Sequence, residues 1–352
     1  MRKNRKLIVS ILLCWMLYIS LFSTLLVNGG ESWTAVNAGL TRLAVSSLVI
    51  DPSSPSTIYA ATRSGVFKTT NGGESWTPVN TGLTDLLVDS LTVDPLTPTI
   101  IYARTWAGGI FKTTNGGDSW RAVNNGLTEC DVQDLIIDPS SPTTIYAGTW
   151  YGEVLKSTNG GDSWRAVNNG LTDLPVSSLV IDPSSPTTIY AGTWSGVFKT
   201  TNGGDSWMAV GTELADLSVD FLVIDSSTPP AIYAGIWAGG IFKTTNGGDS
   251  WKAVNTGLTD QHVYSLAIDP FTPSIIYAGT RYGGVFKSTN GGDSWKAVNT
   301  GLTDLRVFSL TINPSTPTTI YVGTRRGVFK SSNGGESWTP VNTGLTDWMS
   351  TA

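Results

Sequence analysis

The chain of 352 residues has a single histidine, His262, and two cysteines, Cys14 and Cys130. One imidazole rules out a metal site built from several histidines, and no Ser-His-Asp relay is plausible around it. Cys14 falls in an apolar N-terminal run. Cys130 therefore stands alone in the rest of the chain, which excludes both a disulfide framework and a thiolate zinc site. Charged residues make up only 14% of the sequence, with a net charge of −5. Attraction of the whole molecule to nucleic acid is not expected from that balance. After Val27 no window holds a 3.6-residue apolar period, so helices are not expected there. The glycine pairs lie in hairpin-like stretches, and none forms a phosphate loop opening a helix. No cofactor and no metal are expected.

The one long apolar run is Leu7–Val27, preceded by Arg2, Lys3, Arg5 and Lys6. As a helix it would measure roughly 30 Å, enough to cross a bilayer. Basic residues before it and none just after it orient the N-terminus to the cytoplasm and the rest outside. Residues 1–27 read as a signal peptide or a membrane anchor; both remain open, since no clean small-x-small cleavage site follows. The expected location is extracytoplasmic, secreted or anchored, with membrane contact only through residues 7–27 if they are retained.

What fills the remainder is a repeat. Thr69-Thr70-Asn71-Gly72-Gly73-Glu74-Ser75-Trp76 recurs with Trp at 33, 76, 120, 164, 207, 251, 295 and 338, at intervals of 43 or 44 residues. Between successive copies lie short β-branched runs punctuated by Gly, Pro, Asn, Asp and Ser. In residues 45–80 these are Val45–Asp51, Thr57–Thr62, Val66–Thr70 and Trp76–Asn80, the last marked as an edge strand by Pro78. Four strands per unit, repeated, indicate a β-propeller. With the strands named A to D from the centre outward, A begins at Val45, Val88, Val132, Val176, Val219, Val263 and Val307. The expected fold is thus all-β: a seven-bladed propeller of four-stranded antiparallel blades spanning residues 41–345, preceded by one apolar helix. Residues 28–40 form a surplus outer strand with a degenerate copy of the motif, and 346–352 a tail. The outer slot of blade 7 is contested by residues 33–37 and 338–342, and 338–342 is the favoured occupant because it belongs to a complete local hairpin.

The recurring motif resembles the Asp-box, or bacterial neuraminidase repeat, with Asn in the acidic position at Asn28, Asn71, Asn115, Asn159, Asn202, Asn246, Asn290 and Asn333. It is similar to the hairpin motif of sialidases, sortilin-type receptors, family 74 xyloglucanases and photosystem II assembly-factor propellers. The residues themselves suit a structural turn. Asn bonds its own loop, the Gly pair permits positive φ, and Ser ties the loop to the backbone. Each Trp (Trp76, Trp120, Trp164, Trp207, Trp251, Trp295, Trp338) is expected to fold into the sheet, burying roughly 150–250 Å² worth about 4–6 kcal/mol at most. The loop lacks the alternating acids and terminal Glu of a calcium loop.

Consecutive strands alternate direction. The A–B and C–D connections therefore share one face, and the D–A and B–C connections the other. The first face repeats almost without change. On the second, the B–C loops differ: Arg63-Ser64-Gly65, Trp106-Ala107-Gly108-Gly109, Trp150-Tyr151-Gly152-Glu153, Trp194-Ser195-Gly196, Trp237-Ala238-Gly239-Gly240, Arg281-Tyr282-Gly283-Gly284 and Arg325-Arg326-Gly327. Trp leads in blades 2 to 5 and Arg in blades 6, 7 and 1. Arg42 and Arg306 enter from D–A loops, as do Glu129 and Asp131. The expected ligand face is this rim, aromatic and partly acidic on one side and cationic on the other. Aromatic platforms suit sugar rings or peptide side chains, and arginines suit carboxylate, sulfate or phosphate. The competing expectation is that these Trp and Arg only cap the blades.

Asp51, Asp94, Asp138, Asp182, Asp225 and Asp269 recur at one position and read as turn formers. The acids that break the repeat are Asp134 and Glu153, the candidate catalytic pair for a glycoside hydrolase, whose carboxylates must stand a defined distance apart. Resemblance to sialidases implies an arginine and tyrosine set, for which Arg63, Arg281, Arg325 and Tyr282 are the nearest residues; a seven-bladed count and the absence of a Phe/Tyr-Arg-Ile-Pro segment depart from that family. Family 74 xyloglucanases place their site between two propellers, and one is encoded here. The favoured expectation is an exported, non-enzymatic, monomeric scaffold that binds a glycan or protein on the variable face. The alternative is a secreted glycoside hydrolase, xyloglucanase-like or sialidase-like.

Overall fold

The structure is a computed structural model describing residues 44–345, apart from 128–130, 172–173, 226 and 228. The N-terminal apolar segment, the outer strand expected at 33–37, Arg42, Glu129, Cys130 and the tail 346–352 lie outside the described residues.

Seven four-stranded antiparallel sheets follow one another, each with its strands in chain order. In blade 1 the strands are β1 (Val45–Ile50), β2 (Ile58–Thr62), β3 (Gly65–Thr69) and β4 (Thr77–Pro78), filling positions A to D. β2 is buried along its whole length, because both faces of the sheet press against neighbouring blades. β4 is only two residues long and exposed. Pro78 sits there opposite Phe67, on the outer edge, where its missing N–H breaks no ladder. The fourth strand of blade 7 is Thr339–Pro340, within the segment favoured for that slot. Among the described residues the one helical turn is a 3-10 turn at Thr212–Leu214.

The apolar core is divided among the seams between blades. One cluster joins Val45, Leu48, Ile58, Phe67 and Trp76 of blade 1 to Tyr321, Val328 and Leu345 of blade 7. Three sets of hydrogen bonds run around the ring across these seams. Tyr59 Oη and Lys68 Nζ both donate to the Gly116 carbonyl of the next blade, each at 3.0 Å. The pair recurs at every seam and returns from Tyr321 and Lys330 to Gly72. Burial pushes the Tyr59 phenol up to about 12, so it remains a donor across the physiological range. The Trp76 indole N–H donates backward to the Val341 carbonyl of blade 7 at 2.9 Å. Closer to the axis, the Leu48 N–H donates to Ser309 Oγ and the Leu91 N–H to Ser47 Oγ. Blades 7 and 1 are thus tied by the same three kinds of bond as blades 1 and 2.

The repeated motif therefore fastens one blade to the next as well as closing its own hairpin. Within the loop, Asn71 Oδ1 accepts from the Thr69 hydroxyl and the Ser75 N–H, and its Nδ2 donates to Ser75 Oγ. Gly72 and Gly73 stand at φ 68° and 94°, a left-handed pair that only glycine adopts cheaply. The Gly72 carbonyl is left facing the neighbouring Tyr and Lys.

A second repeated residue holds the blade from within. Asn80 Oδ1 accepts the Val66 N–H at 2.7 Å, and its Nδ2 donates to the Ser64 carbonyl. Asn124, Asn168, Asn255, Asn299 and Asn342 take the same place on Ile110, Val154, Ile241, Val285 and Val328. Blade 4 has Gly211 there, followed by the 3-10 turn. At the seam this creates, the Trp251 indole N–H is buried without an acceptor, unlike the other described motif tryptophans.

Candidate functional site

The two faces are joined internally by distinct bonds. On the motif face, the Gly72 N–H donates to the Ser56 carbonyl of the A–B turn. The residue after each inner strand, Asp in blades 1 to 6 and Asn313 in blade 7, organises that turn. Asp51 Oδ1 accepts the Ser53 and Ser54 N–H groups, and Asp94 Oδ1 those of Leu96 and Thr97. On the opposite face the B–C and D–A loops meet. Trp106, Trp150, Trp194, Trp237 and Arg281 each donate their backbone N–H to a D–A carbonyl, at Leu87, Asp131, Pro175, Ser218 and His262 respectively.

In blades 2 and 6, two of the four with the longer B–C loop, a D–A carboxylate adds a latch. Asp85 Oδ2 accepts the Ala107 and Gly108 N–H groups, and Asp260 Oδ2 those of Tyr282 and Gly283. These donors outweigh burial and hold both carboxyls below the usual range. In blade 7 the loop is one residue shorter, and Asp304 Oδ2 is buried without a partner.

Trp106, Trp150, Trp194 and Trp237 of this rim are 69%, 37%, 39% and 49% exposed. Trp150 and Trp194 meet edge to face at 4.8 Å, and Trp237 lies edge-on to His262 at 6.0 Å. Tyr151 and Tyr282 are half-exposed. Arg63, Arg325 and Arg326 are exposed, whereas Arg281 is half-buried. Arg281 and Arg306 both lie over the Tyr282 ring, at 5.0 and 5.4 Å from its centroid.

Inside the rim lies a second ring that sequence reasoning did not single out. Every inner strand carries a register shift at its second residue. Such a bulge re-aims one side chain. The seven residues are Ser46, Asp89, Gln133, Ser177, Asp220, Tyr264 and Phe308, at the end of the strand that joins the variable face. Aligning the inner strands on their leading Val exposes this column as the most variable within the strand. Tyr264 and Phe308 stack at 6.0 Å with planes 22° apart. Burial alone pushes Asp220 up to about 7. Asp89 is also raised by burial, against the lowering effect of Arg104 and Arg63.

Arg104 is a further departure that went unnoticed. It replaces the Ala or Gly found at this point of the other second strands, where an added Cβ at Gly148, Gly192 or Gly279 would come within 2.5–2.7 Å of a valine in the next blade. Its guanidinium donates to the Val132 carbonyl at 2.9 Å and pairs with Asp89 at 3.6 Å. Its Nε is buried without a partner.

Asp134 sits in the third column of the inner strand, where most blades have Ser. It accepts the Leu135 N–H and, across the seam, the Leu179 N–H at 2.7 Å. It thus performs the task of Ser47, which accepts from Leu91. Burial raises its pKa, opposed by those two donors and by Arg104. Glu153 occupies the B–C loop of the same blade, with its backbone paired to Thr149. The structure brings Asp134 together with Leu179 and Ser178 of blade 4 and with Arg104.

No protein-family profile matches the sequence, and no curated protein does either. Solved structures do share its fold. A family 74 xyloglucanase from Xanthomonas campestris superimposes with a TM-score of 0.72 at 16% identity, over 86% of this chain and 55% of its own. The chain thus spans about half the length of that enzyme. The extracellular domain of a putative one-component system from B. thetaiotaomicron gives 0.66 at 18% identity, over 82% of this chain and 38% of its own. YCF48 from Cyanidioschyzon merolae gives 0.63 at 15%, over 83% and 96%. At these identities the likeness concerns the fold.

Proposed function

We propose that this chain is a non-catalytic scaffold acting outside the cytoplasm, with its ligand on the face of the B–C and D–A connections. The observation that carries this reading is the exposure of Trp106, Trp150, Trp194 and Trp237 on the face where the repeats differ, while the motif tryptophans are buried on the face where they agree. Aromatic rings that stay partly exposed at equivalent points of neighbouring blades leave apolar area in water, which is the pattern of a contact surface. Basic residues 2–6 ahead of the apolar run support export, as does the extracellular domain among the fold neighbours. The Asp-box resemblance supports the division of labour, since the motif is spent on the seams.

The neighbours include a xyloglucanase and a YCF48 bound to D1 peptide, so glycan and peptide ligands are both represented on this fold. A glycoside hydrolase using Asp134 and Glu153 is the weaker reading, because Asp134 is occupied by two backbone N–H groups at an interblade seam. The test is binding of plant and microbial polysaccharides and of peptides to the full-length chain and to its Trp106/Trp150/Trp194/Trp237→Ala variant, with hydrolysis followed in parallel. Binding lost in a folded variant is the expected result. Unchanged binding, or hydrolysis that disappears in Asp134→Asn without loss of folding, would overturn the reading.

A further inference from the structure

Around the mouth the charges are sorted by blade. Asp89 and Asp131 stand in blades 2 and 3, with Arg104 and Arg63 beside Asp89. On blades 6 and 7 the arrangement is different. Arg281 comes from a B–C loop and Arg306 from the next D–A loop, and both guanidiniums lie over the single ring of Tyr282. Among the described residues neither has a carboxylate within ion-pair distance. The nearby Asp260 already accepts three backbone N–H groups, from His262, Tyr282 and Gly283. On the bulge ring of the same two blades, Tyr264 and Phe308 form a near-parallel pair, and both arginines act electrostatically on the Tyr264 phenol.

The geometry points to a site for an acidic polysaccharide, one built of uronate sugars, on blades 6 and 7. This rests on the scaffold reading above and narrows it. The half-buried Tyr264 and Phe308 pair offers aromatic carbon to the C–H groups of a pyranose, and Arg281 and Arg306 offer the forked donors that a carboxylate takes in pairs.

A peptide is the less suitable occupant. Extended peptides are held largely by main-chain hydrogen bonds to an open strand edge. Here the leading N–H groups of the rim loops in blades 2 to 6 are spent on the D–A carbonyls. Recognition is left to side chains, and those on blades 6 and 7 are rings and guanidiniums.

The experiment measures affinity of the full-length chain for polygalacturonate, for its fully methyl-esterified form and for poly-glutamate. Polygalacturonate is expected to bind about tenfold or more tightly than the ester, a preference that fades with added salt. Arg281→Gln/Arg306→Gln should abolish that preference, whereas Arg325→Gln/Arg326→Gln should leave most of it. Circular dichroism of each variant shows whether the fold is kept. Equal affinity for acid and ester, poly-glutamate binding as tightly, an equal loss in both double variants, or no binding to polygalacturonate would each overturn the proposal. Tight binding of the ester that vanishes in the four-tryptophan variant would leave the scaffold reading standing while this site fails.

Discussion

Trp120 and Trp106 belong to the same blade and meet opposite surroundings. Trp120 is 5% exposed, packs among Tyr59, Val66, Val88, Leu91 and Phe111 at the seam between blades 1 and 2, and donates its indole N–H to the Val79 carbonyl of blade 1 at 2.7 Å. Trp106 projects from a loop whose backbone is fixed and whose side chain is free of aromatic partners among those described. The motif face repeats because each copy must solve one packing problem, that of joining a blade to its neighbour. The rim is released from that demand, because the Asp latches and loop carbonyls hold its backbone whatever the side chain. Repetition in this molecule marks mechanical duty, and divergence marks surface that can be put to another use.

The contrast is broken most severely at the seams. Trp120→Ala is expected to cost about 3–5 kcal/mol, the range for emptying a buried aromatic site, read as a fall in the urea midpoint with an unchanged slope. A cost below about 1 kcal/mol would show that the motif tryptophans are not what joins the blades.

Asp220→Asn tests the bulge ring, and its effect has the opposite sign. A free carboxyl titrates near 3.9, whereas burial moves this one up to about 7. Between those values the folded chain binds the extra proton, so stability falls as pH rises from about 4 to about 7 and then levels off. The Asn variant carries no such charge. It should be more stable than the parent by about 2 kcal/mol at pH 8, after allowance for solvent, with the gap closing at pH 4. A difference independent of pH would place the side chain in water.

Asp260→Asn weakens one rim latch. Its carboxyl is held low by the Tyr282 and Gly283 N–H groups, so its stabilising effect is present above pH 4 and is lost as pH falls through the depressed folded value. The expected cost at pH 7 is about 1 kcal/mol, vanishing in acid, as followed by thermal melts across pH.

Trp106→Ala completes the comparison with the smallest effect, within about 0.5 kcal/mol of the parent stability. Loss of ligand binding without loss of stability is the signature that separates rim from seam.

Much of this was legible in the residues. The 43- and 44-residue spacing counts the blades, and the β-branched runs between Gly and Pro locate the strands. Strict alternation of strand direction sorts the connections onto two faces, and the exposed tryptophans fall where the repeats diverge. Less visible was what each motif touches. Asn80 looks like one more polar residue after a strand, but it is the acceptor for Val66. Asp134 looks like an unusual acid available for chemistry, but its neighbour across the seam takes both its position and its charge into a backbone contact. Arg104 was hidden in a strand where only its departure from Ala and Gly signals a special role.

By itself the sequence determined the all-β class, the number of blades, the turns that close each hairpin and the face on which variation collects. Each of these depends on local periodicity, and local periodicity is written in the order of residues. The tertiary structure alone decided that the repeated tryptophan, tyrosine and lysine reach across to another blade, that the ring closes from Tyr321 and Lys330 onto Gly72, and that each inner strand bulges at its second residue. Those outcomes depend on which blade stands next in space and on a one-residue shift of strand register, and neither is a property of any single stretch of chain.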